Sequence, residues 1–299
     1  MNSSPFQSLT RITRSLAVLA WMKVILLIAM PTSVYADTPR VISTDAGVTE
    51  LLFALGMQEH LIAVDVTSQL PADYPKLPNI GYHRTLSAEG LLSLNPSVVI
   101  GSEHTGPASV MTALQQAKVK FVQLNSANNS QQLAENVTRL STALNQGDKG
   151  QALVQSIEQK LAQIAQANLA GERVAFLLSM DDSKLRLAGK RTSGDAFVSL
   201  MKGENIAAFD NYRNVSAESL LQMQPSVIIV AGREVADAVD NLLAANPVLA
   251  HTPAGKQRRI VAVNGATLVA GLSVSALDEA IRLTQQLSGS PALAQQDNH

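Results

Sequence analysis

The sequence predicts an α/β protein with two Rossmann-like lobes, each built on a central parallel sheet, joined by a single long helix. Three observations predict it: strands alternate with helices, one stretch occurs twice, and the chain between the two copies shows only helical patterns. The copies are GYHRTLSAEGLLSLNPSVVI from Gly81 and NYRNVSAESLLQMQPSVIIV from Asn211, and SAEGLLSLNPSVVI matches SAESLLQMQPSVII at nine of fourteen positions. Two copies so far apart indicate two lobes rather than a short-period solenoid.

The first lobe is predicted over residues 37–146, where strands and helices follow each other closely. Ser87 is suited to cap the helix that follows it, and Gly56 is suited to end the first helix. Short apolar runs predict strands at 40–45, 61–65, 97–101 and 121–125, and helical patterns cover 47–55, 87–94 and 111–117.

The connection between the lobes is predicted as a helix within residues 147–170. A first helical pattern covers 131–144, and a second runs from about 151 to 168, after Gly147 and Gly150. The second pattern places Leu153, Ile157 and Ile164 on one face. Because this segment is not enriched in Pro, Gly or Ser, we interpret it as a rigid tether rather than a flexible linker.

The second lobe, residues 171–299, repeats the order of the first. Strands are predicted at 174–180, 226–232 and 259–265, and helices from about 193 and over 274–287. The YHRT and NYRN segments are predicted as equivalent loops. Ligands of open α/β sheets bind at the carboxyl ends of the strands. We therefore expect a cleft between the lobes that contains Tyr82, His83, Arg84, Tyr212 and Arg213.

Residues 1–36 have the pattern of an export signal. Arg11, Arg14 and Lys23 precede an apolar core, and small residues lead up to a cleavage site after Ala36. A membrane anchor is the alternative, but the apolar run is much shorter than the ~20 residues that a span needs. We expect a protein exported to the periplasm, whether translation starts at Met1 or Met22.

The composition is that of an ordinary globular protein. Of the 299 residues, 46% are apolar and 16% are charged, and the net charge of −1 gives no basic surface for nucleic acid. The absence of cysteine excludes disulfides and thiolate sites. No nucleophile elbow, H-E-x-x-H, P-loop or dinucleotide-binding glycine motif occurs, so we expect no enzyme activity.

Several strings of the sequence resemble one family, the periplasmic heme-binding proteins of bacterial hemin ABC importers. They are GYHRTLSAEGLLSLNPSVVIGSEHTGP, DVTS, AGKRTSGDA, SAESLLQMQPSVIIV and TPAGKQRRIVAV, and the resemblance covers nearly the whole chain after residue 36. It implies capture of heme b and its delivery to an inner-membrane ABC permease with its ATPase, by a protein that we expect to be monomeric. The same fold group includes binders of corrinoids and ferric siderophores, and these ligands stay open as alternatives.

The resemblance implies that Tyr82 is the axial ligand of the heme iron. Tyrosine is a known heme ligand, and a phenol with a pKa of ~10 binds after losing its proton. A nearby cation favours the phenolate, and Arg84 stands two residues on. Alternatively, Tyr82 is a loop tyrosine that packs over an edge of the sheet. His83 and Tyr212 are expected to line the pocket. The cations expected to meet the heme propionates are Arg84, Lys190, Arg191, Arg213 and Arg233.

Two departures from the family pattern concern the walls of the pocket. Related proteins place a histidine as second axial ligand after the first strand of lobe two, where this chain reads LLSMDDSKLRLAGK. Met180 is a candidate for that role, because thioethers also bind heme iron, or else it packs in the core. VAGLSVSA, residues 269–276, stands where the family often has an aromatic residue, a glycine and a proline.

Glu89 and Glu218 occupy equivalent places in the two copies. Each is predicted in the first turn of a helix, where the helix dipole favours a carboxylate by about 0.3–1 kcal/mol. The resemblance implies a further role, because in this fold group one such glutamate in each lobe docks onto the permease.

Overall fold

Two sheets, one from each half of the chain, form the frame of the protein. This computed structural model describes residues 39–179, 185–232 and 235–288. The strands are β1 Val41–Ser43, β2 Leu61–Val64, β3 Val98–Ser102, β4 Lys120–Leu124, β5 Arg173–Ser179, β6 Leu185–Ala188, β7 Glu204–Asn205, β8 Tyr212–Val215, β9 Val227–Gly232 and β10 Ile260–Asn264. The predicted export signal, residues 1–36, lies outside the described residues.

Helices connect these strands in the order that the sequence predicts. They are α1 Ala46–Ala54, α2 Ala88–Ser93, α3 Ala108–Gln116, α4 Ser130–Ala143, α5 Gly147–Gln166, α6 Ser193–Leu200, α7 Ala217–Met223, α8 Ala238–Ala245, α9 Pro253–Lys256 and α10 Val274–Ser288. Short 3₁₀ helices span Gln58–His60, Pro247–His251 and Gly265–Leu268. Within the described ranges, no helix is both long enough and apolar enough to cross a membrane.

The first sheet is entirely parallel, with the strand order β2-β1-β3-β4. Each strand is followed by a helix, which is the arrangement that parallel pairing requires. The signals at the helix ends are also as predicted. The hydroxyl of Ser87 accepts a hydrogen bond from the Gly90 amide at 3.2 Å, and Gly56 has φ +64°.

The second sheet has the order β10-β9-β5-β6-β8, and β7 pairs with β5. Strands β10, β9 and β5 are parallel, which confirms the predicted class of fold. Strand β6 runs antiparallel to both β5 and β8 and thereby extends the sheet. The segment of β8 was predicted as a loop and no strand was predicted at β6, and that part of the prediction is wrong. The two strands have four residues each, too few to show a period, and Arg and Asn interrupt their apolar pattern.

Alternating residues of the parallel strands enter different apolar clusters. In β3, Val98 and Ile100 belong to a cluster that also contains Val227 and Ile229 of β9, whereas Val99 packs on the opposite face of the first sheet. Strands that are buried on both faces read as continuous apolar runs, and this explains the VVI and VIIV segments. One apolar cluster therefore contains residues of both sheets.

Helix α5 occupies the place of the predicted tether, and it begins earlier than expected, at Gly147 instead of about residue 151. Gly150 lies inside it because α4 and α5 approach closely at this point. A β-carbon on Gly150 would come within 2.1 Å of the Ser141 hydroxyl oxygen. A glycine that appeared to break the helix thus permits its packing.

Side chains and backbone from distant parts of the chain meet at the start of α10. The Glu50 carboxylate accepts hydrogen bonds from the Ser275 amide at 2.6 Å and from the Ser275 hydroxyl at 2.7 Å. The Leu272 amide donates to the Ala127 carbonyl at 2.7 Å. A carboxylate at a helix N-terminus satisfies an amide that lacks an intrahelical partner, so Glu50 of α1 fixes the start of α10 to the first half of the chain.

Candidate functional site

Buried polar side chains gather at the carboxyl ends of the first sheet. Asp45 follows β1, Asp65 follows β2 and Ser102 ends β3, and all three side chains are buried. Buried carboxylates are rare unless they have polar partners. This edge of the sheet is therefore built for more than packing.

Asp65 is surrounded by donors. Its carboxylate accepts hydrogen bonds from the Thr67 hydroxyl at 2.8 Å, the Ser68 hydroxyl at 2.8 Å and the Ser68 amide at 3.1 Å. The Nδ1 atom of His83 lies 3.4 Å from its Oδ2 atom. The DVTS segment thus forms a compact turn in which Thr67 and Ser68 hold the Asp65 carboxylate, and this carboxylate contacts His83 of the YHRT loop.

Asp45 is less completely partnered. Its Oδ1 atom accepts from the Val48 amide at 2.9 Å as the cap of α1, whereas Oδ2 is buried without a hydrogen-bond partner among the described residues. Burial raises the pKa of the Asp45 carboxyl above its ordinary value of 3.8, and the nearby Asp65 carboxylate raises it further. Opposing effects come from the Val48 amide, the Ser102 side chain and His83.

The loop that carries Tyr82 is fixed along its backbone. The Val66 amide donates to the Gly81 carbonyl at 3.1 Å, the Thr85 amide donates to the Tyr82 carbonyl at 2.9 Å, and the Gly106 amide donates to the His83 carbonyl at 2.8 Å. Gly81 has φ +86°, a conformation that favours glycine. The loop thus presents Tyr82 at the carboxyl edge from a defined backbone.

Tyr82 is one of three large apolar side chains that the described residues leave exposed. The exposed fractions are 56% for Val66, 43% for Tyr82 and 47% for Val269. Val66 follows β2, and Val269 follows the 3₁₀ helix after β10, so all three lie in segments beyond the carboxyl ends of parallel strands. Exposed apolar side chains at a ligand-binding edge favour a ligand with apolar surface.

His83 is buried, with 7% of its surface exposed, and its ring centroid lies 4.3 Å from that of Tyr82. Arg84, the next residue, is exposed, and its side chain has no hydrogen bond or ion pair to any described residue. The loop therefore combines an exposed phenol, a buried imidazole and an exposed guanidinium in three consecutive residues.

The second copy of the repeat has a different front end. The NYRN segment was predicted as a loop equivalent to YHRT, but Tyr212 and Arg213 belong to strand β8. The Tyr212 hydroxyl accepts a hydrogen bond from the Gly194 amide at 3.2 Å and lies 3.2 Å from the Ser193 hydroxyl, at the start of α6. The Arg213 guanidinium lies 4.7 Å from the centre of the Phe209 ring.

Lys190 and Arg191 lie away from the carboxyl ends of the second sheet. Because β6 is antiparallel to β5 and its first residue, Leu185, pairs with Ser179, the loop after β6 is level with the amino-terminal half of β5. Both side chains are exposed, and Arg191 forms an ion pair with Asp210 at 2.6 Å. The structure does not bring these two cations together with Tyr82 at one edge.

Met180 and Arg233 lie outside the described residues, directly after β5 and β9. Glu89 and Glu218 are exposed and lie in the first turns of α2 and α7, as predicted. They thus occupy equivalent places in the two halves of the chain.

A cavity of about 480 Å³ lies between α1 and α10, beside the contact of Glu50 with Ser275. Phe53, Pro71 and Val274 are among the residues that line it, and Tyr82 is not. This cavity was not predicted from the sequence, and neither was a role for the buried Asp45 and Asp65. The available signal was an aspartate at the end of each of the first two predicted strands, in STD and AVD.

Comparisons with known proteins place these features in context. The sequence profile of the family described as periplasmic binding protein matches residues 41–266. The chain is similar to the crystal structure of the periplasmic heme-binding protein HutB of Vibrio cholerae, at 34% identity and a TM-score of 0.76, over 84% of this chain and 99% of that chain. It is also similar to a periplasmic heme-binding protein of Pseudomonas aeruginosa, at 30% identity and a TM-score of 0.74, over 85% of this chain and 93% of that one.

Another relative carries the name of a different ligand. The vitamin B12-binding protein of Vibrio parahaemolyticus is 25% identical over 201 residues, which are 66% of this chain and 72% of the relative.

Proposed function

We propose that this chain, which belongs to the periplasmic binding protein family, captures heme b and delivers it to an inner-membrane ABC permease with its ATPase. The observation that carries the proposal is the exposed phenol of Tyr82 at the carboxyl edge of the first sheet. The similarity to periplasmic heme-binding proteins also supports it. The family and these relatives are ligand-binding proteins rather than enzymes.

Tyr82 is the proposed ligand of the heme iron. A ferric ion is a hard cation that binds an anionic oxygen well, and tyrosine is an established heme ligand. The exposed guanidinium of Arg84 belongs to the same loop, two residues on. Val66 and Val269 offer apolar surface to the porphyrin.

The heme propionates need cationic partners, and Arg84 is the candidate that the geometry supports best. Arg213 lies on an edge strand against Phe209, and Lys190 and Arg191 lie level with the other end of β5. Arg233 stays a proposed propionate partner because it directly follows β9. Met180 stays a proposal for a second axial ligand. His83 and Tyr212 stay proposed residues of the pocket wall, and their contacts with Asp65 and Gly194 support defined positions for both side chains.

Docking to the permease is proposed for Glu89 and Glu218. Both carboxylates are exposed at the start of a helix, and neither forms an ion pair with a described residue. They are thus available to arginines of a partner. We also propose that a signal within residues 1–36 directs the protein to the periplasm. The proposed lobes are residues 37–146 and 171–299, joined by the linker 147–170.

The test is a titration of the purified mature protein with hemin. We expect a shifted Soret band and the charge-transfer bands of a high-spin ferric phenolate complex. An unchanged hemin spectrum would contradict the proposed ligand.

A corrinoid is the second candidate, because several relatives carry the name vitamin B12-binding protein. Cyanocobalamin is added under the same conditions for comparison. Its binding is measured by calorimetry, because the spectrum of cyanocobalamin changes little on binding. Tight binding of cyanocobalamin together with weak binding of hemin would favour the corrinoid.

A further inference from the structure

Two neighbouring residues of the Tyr82 loop have opposite environments. Tyr82 is 43% exposed, whereas His83 is 7% exposed, and their ring centroids lie 4.3 Å apart at an interplanar angle of 47°. The imidazole thus packs against the phenol from the buried side. A residue that only connected Tyr82 to Arg84 would have no reason to be buried.

His83 is held at two points. Its Nδ1 atom lies 3.4 Å from Oδ2 of Asp65, and its carbonyl accepts a hydrogen bond from the Gly106 amide at 2.8 Å. Asp65 is itself fixed by the hydroxyls of Thr67 and Ser68. The position of the imidazole is therefore set by groups that follow β2 and β3, not by the loop alone.

We propose that His83, anchored by Asp65, is a positioning residue that holds the Tyr82 ring in the orientation needed to bind the ligand. The inference rests on the proposed function and extends it, since His83 does not bind the ligand itself. An exposed tyrosine ring loses rotamer freedom on binding, and a neighbour that restricts the ring beforehand reduces this loss. Substitution of a residue that orients a metal ligand typically lowers metal affinity about 10–100-fold.

Three substitutions separate the two side-chain contacts of His83, with the Tyr82 ring and with the Asp65 carboxylate. His83→Ala removes both contacts, His83→Phe keeps a ring against Tyr82, and His83→Gln keeps a donor near Asp65. His104→Ala is the matched control, because His104 is an exposed histidine in the neighbouring loop and lies 3.9 Å from Glu103. Thermal unfolding of each apoprotein verifies that the variant is folded.

The measurements are the rate of hemin dissociation to an excess of a hemin scavenger and the energy of the phenolate-to-iron charge-transfer band. We expect His83→Ala to raise the dissociation rate at least about tenfold and to shift the band, with a smaller change in His83→Phe or His83→Gln and none in His104→Ala. A rate within twofold of wild type and an unshifted band in His83→Ala would overturn the proposal. If His83→Ala does not fold, the same result in folded His83→Gln and His83→Phe overturns it.

Failure of this inference differs from failure of the proposed function. If wild-type protein does not change the hemin spectrum, the function itself is refuted. If wild type binds hemin and Tyr82→Ala does not, but the His83 variants match wild type, the positioning role alone is refuted.

Discussion

The two copies of the repeat share a helix and a strand but differ at the front. In both copies a serine caps a short helix, Ser87 for α2 and Ser216 for α7, and a residue in the left-handed region precedes the proline. That residue is Asn95, with φ 50°, in the first copy and Gln224, with φ 49°, in the second. In front of the serine, the first copy forms an exposed loop with Tyr82, whereas the second forms strand β8. The shared part therefore contains the scaffold and the two glutamates proposed to dock, whereas the residues that bind the ligand are sought in the divergent part.

The largest expected effect concerns a feature that both copies share. The double variant Glu89→Ala with Glu218→Ala should abolish delivery of heme to the permease, because both carboxylates are proposed to dock there. Its hemin affinity should stay at the wild-type value, since neither side chain lies in the Tyr82 loop. Heme-dependent growth of a strain that depends on this importer measures delivery, and spectral titration measures affinity.

The single variants Glu89→Ala and Glu218→Ala test whether the two copies contribute equally to docking. Each should impair delivery on its own, because docking uses one glutamate in each half of the chain. Wild-type delivery by the double variant would refute the docking role, and loss in only one single variant would show that the copies are not equivalent.

A moderate effect is expected at the divergent front of the second copy. Tyr212→Phe removes the hydroxyl that contacts Ser193 and Gly194 at the start of α6. The free energy of unfolding should fall by about 0.5–1.5 kcal/mol, the usual net worth of such a hydrogen bond. Denaturant unfolding measures this, with Tyr82→Phe as the control, since no hydrogen bond from the Tyr82 hydroxyl to a described residue is present. Equal stability of the two variants would contradict the structural role of Tyr212.

The smallest effect is expected at Asp45, one of the two carboxylates buried at the carboxyl ends of the first sheet. Among the described residues, the second sheet buries no carboxylate at its carboxyl ends. Burial raises the pKa of Asp45 in the folded protein, so the protonated carboxyl contributes stability at low pH. This contribution is lost as the pH rises through the raised pKa and the carboxyl ionises. Asp45→Asn keeps a cap for α1 and avoids this loss. Its Tm should exceed that of wild type by about 2–4 °C at neutral pH, which corresponds to about 1 kcal/mol.

The advantage of Asp45→Asn should shrink as the pH falls and vanish well below pH 3.8, the ordinary pKa of the group, because the carboxyl is then protonated in both the folded and the unfolded state. Thermal unfolding across this range measures the difference. A constant Tm difference at all pH values would show that the ionisation of Asp45 is not its cause.

The sequence predicted most of the fold because the decisive signals are local. The apolar runs of β3 and β9, the cap at Ser87 and the turn at Gly56 depend on neighbours in the chain. The place of Tyr82 followed from the general rule for parallel sheets.

The remaining features depend on contacts that no local pattern records. Strand β8 is polar and pairs only because β6 lies beside it, so its sequence resembles the loop of the first copy. Gly150 lies within a helix because of Ser141, and Asp45 and Asp65 are buried because several strand ends converge on them. Tertiary packing decides these points, and propensity alone predicts the opposite for Gly150.

If the first copy alone carries an iron ligand, as proposed, the tyrosines at the front of the two copies should respond differently to the loss of a hydroxyl. Tyr82→Phe and Tyr212→Phe each remove a single hydroxyl from the front of one copy. With hemin added to each folded protein, Tyr82→Phe should lose the phenolate charge-transfer bands and bind at least about 100-fold more weakly, a loss of roughly 2.8 kcal/mol. Tyr212→Phe should keep the wild-type bands and affinity. Wild-type bands in Tyr82→Phe, or their loss in folded Tyr212→Phe, would contradict the claim.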